Sequence, residues 1–246
     1  MRRFFTDPEN IIGDNIRIIE DASHITKVLR KSPGDKIIVF DGSGYEYTAS
    51  LSVVNSKECL AKVIKKEFSA CEPDIKVSLF QGLPKSDKMD LIVQKSVELG
   101  VYEITPVISE RCVSKLNEKN SEVKIRRWNK ISVEAAKQCG RGICPRVTSP
   151  LSFSDAVSKM KELSLAVMPY EVLGHEGEHG LKELLKKWDG KSIGILIGPE
   201  GGFSDFEAEF AKERGIYQVG LGRRILRTET VGSSLISIVM YEKDEI

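Results

Sequence analysis

The sequence predicts an α/β protein in two parts, a small β-rich module followed by a larger domain built on a parallel sheet. Two observations lead to this prediction. Before about residue 72, short runs of β-forming residues are separated by turn clusters. After that point, apolar strand segments alternate with segments of helical periodicity. We therefore expect one domain over residues 1–72 and a second over residues 73–246.

A β-hairpin is the clearest element of the first domain. The apolar run 36–40 leads into the turn cluster 41–44, which contains two glycines, and β-forming residues follow at 45–51. A glycine-containing turn between two such runs is typical of a hairpin. With a further strand near 59–65 and a short helix near 23–30, the pattern indicates a small barrel-like module.

The second domain is expected to hold strands and helices in alternation, which implies a largely parallel sheet. One long helix near 121–139 places Trp128 and Ala135 on one face at helical spacing. The other expected elements are strands at 75–80, 102–108, 165–168, 193–197 and 217–221, and helices at about 87–99 and 229–242.

The composition of the 246-residue chain is ordinary for a globular protein, with 41% hydrophobic and 30% charged residues. No apolar run approaches the roughly 18 residues of a membrane span, and the N-terminus lacks the apolar core of a secretory signal. Five cysteines without a CxxC pair argue against a disulfide framework and a cysteine zinc site. We therefore expect free thiols, no membrane association and a cytoplasmic location.

Basic residues are concentrated between residues 115 and 146, although the net charge of the whole chain is only +1. This segment holds nine lysines and arginines against three glutamates. The excess could form a surface that faces RNA phosphates. The alternative is a solvated helix face, and the charge pattern by itself favours that alternative.

A glycine-rich loop after an apolar strand is the strongest local signal of a binding site. Residues 193–197 are apolar, and Gly198-Pro199-Glu200-Gly201-Gly202-Phe203-Ser204 follows, with Ser204 and Glu207 at capping-box spacing. Glycines allow a ligand to approach the backbone closely, and ligands in open α/β sheets bind at this edge. The loop is neither GxGxxG nor a P-loop, which disfavours a nucleotide-phosphate site. The alternative is a tight strand-to-helix turn.

A second strand ends in glycines, at 219–222, and a charged cluster follows it just before the last helix. The cluster consists of Arg223, Arg224, Arg227 and Glu229. Arginines near a helix start oppose the helix dipole, so another interaction must favour them. A polyanionic ligand is one explanation, and an ion pair with Glu200 or Glu229 is the other.

One string matches the zinc motif HExxH literally, His175-Glu176-Gly177-Glu178-His179. Zinc chemistry of that type needs both histidines on one face of a stable helix. Glycines at 174, 177 and 180 interrupt the segment, and the chain has only one other histidine, His24. We therefore expect an exposed acidic loop and no metal.

Taken in order along the chain, these signals resemble the RsmE family, whose members methylate N3 of a uridine in 16S ribosomal RNA. The Gly-Pro-Glu-Gly-Gly and Leu-Arg-Thr-Glu-Thr strings, at their separation here, are highly specific as a pair. Cys139 stands where serine is expected more often. The resemblance covers most of the chain and rests on the segments 1–5, 88–90, 94–101, 104–106, 109–112, 134–141, 197–204 and 221–230.

The resemblance implies a fold, a cofactor and partners. The N-terminal part would be a PUA-like β-barrel, and the C-terminal part a SPOUT methyltransferase domain with a parallel sheet and a trefoil knot. The cofactor would be S-adenosyl-L-methionine, and the substrate 16S ribosomal RNA or the small ribosomal subunit. The enzyme would be a homodimer in which the knot helices of two subunits pack together. We expect the interface to include the C-terminal helix, whose apolar stripe is Val231, Leu235, Ile238 and Val239, and the alternative is that this stripe packs on the protein's own sheet.

The resemblance also implies which residues bind the ligands. The cofactor cradle would be the strand end 168–171 with the loops 198–202 and 221–227, where adenine contacts backbone groups and apolar side chains. The expected cofactor-binding residues are Met168, Tyr170, Ile197, Gly198, Pro199, Glu200, Gly201, Leu221, Gly222, Ile225, Leu226 and Arg227. The expected RNA-binding residues are Arg2, Arg3, Lys95, Arg111, Lys124, Arg126, Arg127, Gln138 and Arg141.

Three residues are candidates for catalysis. N3 of uridine carries a proton and is a poor nucleophile until that proton is lost, so some group must accept it or stabilise the imide anion. Arg227 is the first candidate for stabilising the anion, because its guanidinium is planar and always charged. Glu200 and Glu229 are candidates for accepting the proton or for orienting Arg227.

Two other functions compete with this interpretation. A non-catalytic RNA-binding protein would bind RNA without the methyl donor, but it would not need the glycine loops. A nucleotide-dependent oxidoreductase would need GxGxxG and an acidic residue about 20 positions later, and neither is apparent.

Overall fold

The computed structural model describes residues 1–112, 118–170 and 180–246. They fold into two compact units, Met1–Glu72 with Val133–Cys144, and Pro73–Ser132 with Pro145–Ile246. The domain limits expected from the sequence, 1–72 and 73–246, stay a prediction. The two compact units differ from those limits in the segment Val133–Cys144.

The first unit is built on a mostly antiparallel sheet. The expected hairpin is confirmed, and its turn needs glycine because Gly44 has φ +98° and a Cβ there would lie 2.7 Å from the Phe68 ring. The described strands are β1 (Arg3–Phe5), β2 (Ile11–Ile12), β3 (Asn15–Ile18), β4 (Lys36–Phe40), β5 (Tyr45–Val54) and β6 (Cys59–Phe68). Their order is β1-β4-β5-β6-β3-β2, with β1 and β4 parallel. Short helical turns lie at Pro8–Asn10 and His24–Val28.

The second unit is built on a parallel sheet, as the alternation of elements predicts. Its described strands are β7 (Lys76–Gly82), β8 (Glu103–Ile108), β9 (Arg146–Val147), β10 (Leu151–Ser152), β11 (Leu165–Pro169), β12 (Ser192–Ile197) and β13 (Tyr217–Val219). The order is β10-β8-β7-β12-β11-β13, β9 pairs with β8, and all these pairs are parallel. Because β7, β8, β11 and β12 run side by side, their carboxyl ends meet at one edge.

Six helices are described in the chain: α1 (Lys88–Glu98), α2 (Glu118–Cys139), α3 (Phe153–Met160), α4 (Leu181–Lys187), α5 (Asp205–Glu213) and α6 (Thr228–Glu242). The expected capping box at the start of α5 is confirmed. The Glu207 amide donates to the Ser204 hydroxyl at 3.3 Å, and the Ser204 amide donates to the Glu207 carboxylate at 3.0 Å. This cap fixes the point at which the glycine-rich loop ends and α5 begins.

Helix α6 packs against α1, β7 and β12 of the same chain. Leu235 and Val239, two members of the stripe expected at a dimer interface, are fully buried in this packing. That part of the expectation is corrected, because the apolar face serves the protein's own core. Ile238 and Tyr241 remain exposed, at 42% and 73%.

Within the described ranges, no helix is long and apolar enough to cross a membrane.

Candidate active site

A cavity of about 680 Å³ lies in the second unit, where the loops after β11, β12 and β13 come together. This is the sheet edge at which ligands bind in open α/β folds, and the volume is within the roughly 300–1,000 Å³ of small-molecule sites. Its wall consists of Pro169 and Tyr170, residues 197–203, residues 221–228, and Lys88, Arg111, Asp205 and Val231.

The cavity wall contains every residue expected to bind the cofactor except Met168. Met168 is fully buried and packs in the core beside Phe80 and Leu196. The wall at this point is instead formed by Pro169, the last residue of β11, and Tyr170. The strand end that the resemblance implies therefore lies at the cavity, and a role of Met168 in binding the cofactor stays a prediction.

A buried chain of hydrogen bonds connects the glycine loop to the start of α6. The Thr228 hydroxyl donates to the Gly198 carbonyl at 2.7 Å and accepts from the Gln81 side-chain amide at 2.9 Å. Gln81 is completely buried at the end of β7. A Cβ on the neighbouring Gly82 would lie 2.7 Å from Pro199, so β7 and the loop are in close contact. Two of the three cavity loops are thus held by one polar network.

The loop after β8 supports the glycine loop from its other side. Arg111 donates to the Gly201 carbonyl at 3.1 Å, and the Glu110 amide donates to Glu207 at 2.8 Å. A Cβ on Gly201 would lie 3.1 Å from the Arg111 Cβ, which is too close for comfortable packing. Arg111, expected at an RNA surface, therefore forms part of the cavity wall.

Lys88 bridges the two predicted catalytic carboxylates. Its Nζ lies 3.1 Å from Glu200 Oε1 and 3.2 Å from Glu229 Oε2. The Lys85 amide also donates to both oxygens of Glu200 at 3.2 Å. Glu200 lines the cavity together with Lys88, whereas Glu229 is reached through Lys88.

The three groups of this cluster stabilise one another's charges. Hydrogen bonds to Glu200 and then to Glu229 raise the pKa of Lys88 against the opposing effect of burial. Burial by itself would raise the pKa of Glu200, but hydrogen bonds from its own amide, Lys88 and Lys85 outweigh it and lower that pKa. The pKa of Glu229 is lowered by its own backbone amide, with burial opposing and Lys88 adding to the effect. Both carboxylates are therefore ionised at neutral pH.

Arg227 stands at the N-terminus of α6 with an exposed side chain in the cavity wall. Its guanidinium forms no ion pair within 4.0 Å with any other described residue. The alternative of a structural ion pair with Glu200 or Glu229 is not realised, because both carboxylates bind Lys88. The guanidinium can thus interact with a ligand.

The other side of the cavity is a tyrosine–aspartate pair and an apolar rim. The Tyr170 hydroxyl donates to Asp205 at 3.1 Å, and burial followed by this hydrogen bond raises the pKa of Tyr170. Ile225 is 70% exposed in the loop after β13, beside Leu226. An apolar side chain held in solvent at the cavity suits contact with a planar ring.

The expected RNA-binding residues differ in exposure and in ion pairing. Arg2, Lys95, Lys124, Arg126, Arg127 and Gln138 are exposed. Two of these nevertheless form ion pairs, Lys95 with Glu98 and Arg127 with Asp90, and the half-buried Arg3 pairs with Glu46. Arg141 is only 4% exposed and pairs with the buried Glu72 at 2.9 Å. The structure thus favours an internal role for Arg141, since its side chain is not open to RNA.

Sequence reasoning missed Lys88, Gln81 and Thr228 as parts of the site. Lys88 lies in the segment 88–90, which contributes to the resemblance but assigns Lys88 no role. Its two partners, Glu200 and Glu229, are more than 100 positions away in the sequence. Their proximity depends on the pairing of β7 with β12, which periodicity does not reveal.

The zinc-like string lies in residues 171–179, outside the described residues. In the ranges that are described, no cluster of three or more His, Cys, Asp or Glu side chains could hold a metal ion.

Comparison with known proteins identifies the family. A family model for an RNA methyltransferase domain matches residues 71–240, and one for an RNA methyltransferase PUA domain matches residues 20–64. The ribosomal RNA small subunit methyltransferase E of Bacillus subtilis is 36% identical over 92% of this chain and 89% of its own length. The enzyme of the same name from Mesomycoplasma hyopneumoniae is 30% identical over 96% of this chain and 98% of its own.

Two solved structures share the whole fold. The ribosomal RNA small subunit methyltransferase E of Neisseria gonorrhoeae, bound to S-adenosyl methionine, is 31% identical with a TM-score of 0.86, covering 98% of this chain and 97% of its own. A Legionella pneumophila protein in complex with the bound cofactor is 29% identical with a TM-score of 0.86, covering 97% and 96%. The expected SPOUT domain and PUA-like module are confirmed, and the knot stays a prediction. The chain therefore belongs to the RNA methyltransferase family, among the ribosomal RNA small subunit methyltransferases E.

Proposed function

We propose that this protein methylates N3 of a uridine in 16S ribosomal RNA, with S-adenosyl-L-methionine as the methyl donor. The observation that carries the proposal is one cavity that combines three ligand-binding loops with a lysine–carboxylate cluster and Arg227. The name of the Bacillus subtilis relative specifies small-subunit ribosomal RNA, and the Neisseria gonorrhoeae relative binds the same cofactor.

The residues of the cavity fit this cofactor. Leu221, Ile225 and Leu226 offer apolar surface to an adenine, and the wall backbone near Gly198 and Gly201 is open to a ligand. The carboxylates of Glu200 and Asp205 complement the ammonium and sulfonium groups of the cofactor. Gly222 has φ +92°, so the bend of the third loop also favours glycine.

The chain has to position the uridine and take up one proton. The cofactor supplies a methyl group whose carbon–sulfur bond breaks with its electron pair on sulfur as the N3 lone pair forms the new N–C bond. Productive alignment of N3 in the cavity is therefore a major part of the rate enhancement. The N3–H bond must also break, with its electron pair left on N3 and its proton transferred to a base.

Two residues of the cavity wall suit the catalytic roles. Glu200 is ionised at neutral pH and lies in the wall, which suits the proton acceptor. Arg227 carries a permanent planar charge and has no ion pair among the described side chains, which suits stabilisation of the imide anion at O2 or O4. Glu229 lies behind Lys88, and we assign it to the orientation of the cluster.

The RNA would bind through exposed basic residues of α2 and the N-terminal unit. Lys124, Arg126 and Lys130 are exposed on α2, and Arg2 is exposed at the N-terminus. Since N3 is buried in a base pair, the target uridine must be unpaired or flipped out. An assembled small subunit or the free RNA could both present such a base.

The protein would work as a homodimer in the cytoplasm. The exposed Ile238 and Tyr241 on α6 support an interface on that helix. Val231 of the same helix lines the cavity, so the helix at the interface would also contribute to the site.

Methyl transfer to purified small subunits tests the proposal. Incubation with the labelled donor should transfer one methyl per 16S RNA, and nucleoside mass spectrometry should identify the product as 3-methyluridine. A methyl group on another atom would contradict the assignment of N3. Thermal-shift assays with S-adenosylhomocysteine, NAD and ATP separate the competing functions, because only the first should raise the melting temperature.

A further inference from the structure

The contacts of Lys88 are unusual for the first residue of a helix. The N-terminus of a helix carries partial positive charge, so a lysine there opposes the helix dipole. Lys88 nevertheless begins α1, and its side chain is 31% exposed at the cavity. The unfavourable local placement is offset by two carboxylates from two other segments, Glu200 and Glu229. A local conflict of this kind is often found at functional sites.

We propose that Lys88 is a positioning residue for methyl transfer, which bridges Glu200 and Glu229 and keeps Glu200 as an oriented carboxylate beside the bound uridine. This inference rests on the proposed function, and it assigns a role to Lys88, the third residue of the cluster with Glu200 and Glu229. The distances of 3.1 Å and 3.2 Å place a single ammonium between the glycine loop and the start of α6. No other residue in the described ranges ion-pairs with either carboxylate.

The ammonium of Lys88 offsets the repulsion between the carboxylates of Glu200 and Glu229. Two carboxylates that share a site repel each other, so without a cation one of them would hold a proton at a raised pKa. A protonated Glu200 could not accept the proton of N3. With Lys88 present, Glu200 accepts that proton on a carboxylate oxygen, while the ammonium remains paired with Glu229. The net charge of the three groups then changes from −1 to zero, and no group is left without a counter-ion.

Other charged groups surround the cluster, and their effects are smaller. Arg227 at the start of α6 also lowers the pKa of Glu229, but its effect is smaller than that of the Glu229 backbone amide and that of Lys88. Arg223 and Arg224 lie in the loop after β13, Arg111 after β8, and Asp205 at the start of α5. Because none of these forms an ion pair with Glu200 or Glu229, Lys88 is the group whose loss should change their protonation most.

The test compares Lys88→Met and Lys88→Arg with Lys212→Met as the matched control. Lys212 is a solvent-exposed lysine on α5 that approaches Glu209 at 4.0 Å, outside the cavity. The kcat of Lys88→Met should fall by ~10²-fold at neutral pH, as expected when reacting groups lose their alignment. The acidic limb of its pH–kcat profile should move to higher pH, because loss of the cation raises the pKa of the carboxylates. The acidic limb of the Lys88→Arg profile should stay near that of the wild type. The kcat of Lys212→Met should match that of the wild type at every pH.

A second readout does not depend on turnover. Carbon-13 NMR of the side-chain carboxyl groups in cofactor-free protein should show Glu200 and Glu229 titrating below the ordinary glutamate range. In Lys88→Met, at least one of them should titrate at higher pH. Equal loss of kcat at every pH, with unchanged carboxyl titrations, would overturn the proposal. Loss of cofactor binding with an unchanged acidic limb would also overturn it, since Lys88 would then be a cofactor ligand.

These outcomes are distinguishable from failure of the proposed function. If the wild type methylates an atom other than uridine N3, the assignment of the product fails. The carboxyl titrations of the cofactor-free protein still report whether Lys88 controls the two glutamates.

Discussion

Arg227 is the residue at which a structural and a chemical role can be separated most clearly. Its guanidinium lies in the cavity wall, while the carboxylates that could have paired with it bind Lys88. Arg227→Ala should therefore lower turnover by ~10²-fold or more, as for loss of a donor used in the transition state. Cofactor affinity and melting temperature should change little, and calorimetry with a thermal melt checks both.

The conservative substitution Arg227→Lys refines that experiment. Lysine keeps the charge but loses the planar fork of donors, so its turnover should lie between those of the wild type and Arg227→Ala. A variant that melts early, yet methylates at the normal rate when folded, would mean that Arg227 is structural.

Gly201 tests the cofactor cradle at the same scale. A Cβ there would lie 3.1 Å from the Arg111 Cβ, and valine adds two further methyl groups. Overpacking of this kind costs about 1–3 kcal/mol, which corresponds to a Kd weakened roughly five- to 140-fold if the loop yields. We expect Gly201→Val to remain folded and to lose cofactor affinity by at least that factor in titration calorimetry.

Gly232→Ala is the control for replacing a glycine. A Cβ at Gly232 meets Leu79 at 3.6 Å and Gln81 at 3.8 Å, both ordinary contacts, and Gly232 is not part of the cavity wall. Its cofactor affinity should equal that of the wild type. Wild-type affinity in Gly201→Val as well would remove the glycine loop from the cofactor site.

Helix α2 carries the element-scale prediction about RNA. Lys124 and Arg126 are exposed and form no ion pair with a described residue, whereas Arg127 is held by Asp90. Reversing Lys124 and Arg126 to glutamate should weaken RNA binding and flatten its log–log salt dependence. For two lost phosphate contacts the slope should change by roughly 1.4, measured by binding titrations between low and moderate salt.

The matched control reverses Lys186 and Lys187, which are exposed on α4. It changes the net charge of the protein by the same amount at another surface. If both double variants lowered affinity equally, the effect would be one of overall charge. If the α2 variant bound like the wild type, its basic face would be solvated surface only.

Periodicity and turn chemistry predict these elements well, but they do not predict which elements meet. The hairpin, the capping box at Ser204 and the strands of the parallel sheet follow from local patterns. The contact of Lys88 with the glycine loop requires β7 beside β12, which no local pattern contains. The Arg141–Glu72 pair joins residues 69 positions apart, so no local pattern around Arg141 could reveal it.

The sequence likewise does not show what covers the apolar stripe on α6. An apolar helix face shows that something covers it and does not show whether this is the protein's own sheet or a partner. Leu235 and Val239 are covered by the protein's own core, whereas Ile238 remains exposed. The interface on this helix stays a prediction, and Leu235 and Val239 can no longer be counted among its residues.

At the scale of the whole molecule, we expect a homodimer in solution. Light scattering at micromolar concentration should give twice the 27.4 kDa mass of the chain. Ile238 and Tyr241 are exposed apolar side chains on one helix, so replacing both with glutamate should shift the protein towards the monomer. A wild-type monomer at that concentration would contradict the dimer, and a dimer unaffected by both substitutions would place the interface elsewhere.

The modification state of ribosomal RNA in living cells tests the proposed activity most directly. Mass spectrometry of 16S RNA from a strain that lacks this gene should show one 3-methyluridine fewer than the parent strain. The wild-type gene should restore that nucleoside, and a gene carrying Arg227→Ala should restore it poorly. An unchanged 3-methyluridine content in the deletion strain, or loss of a different modified nucleoside, would contradict the proposed activity.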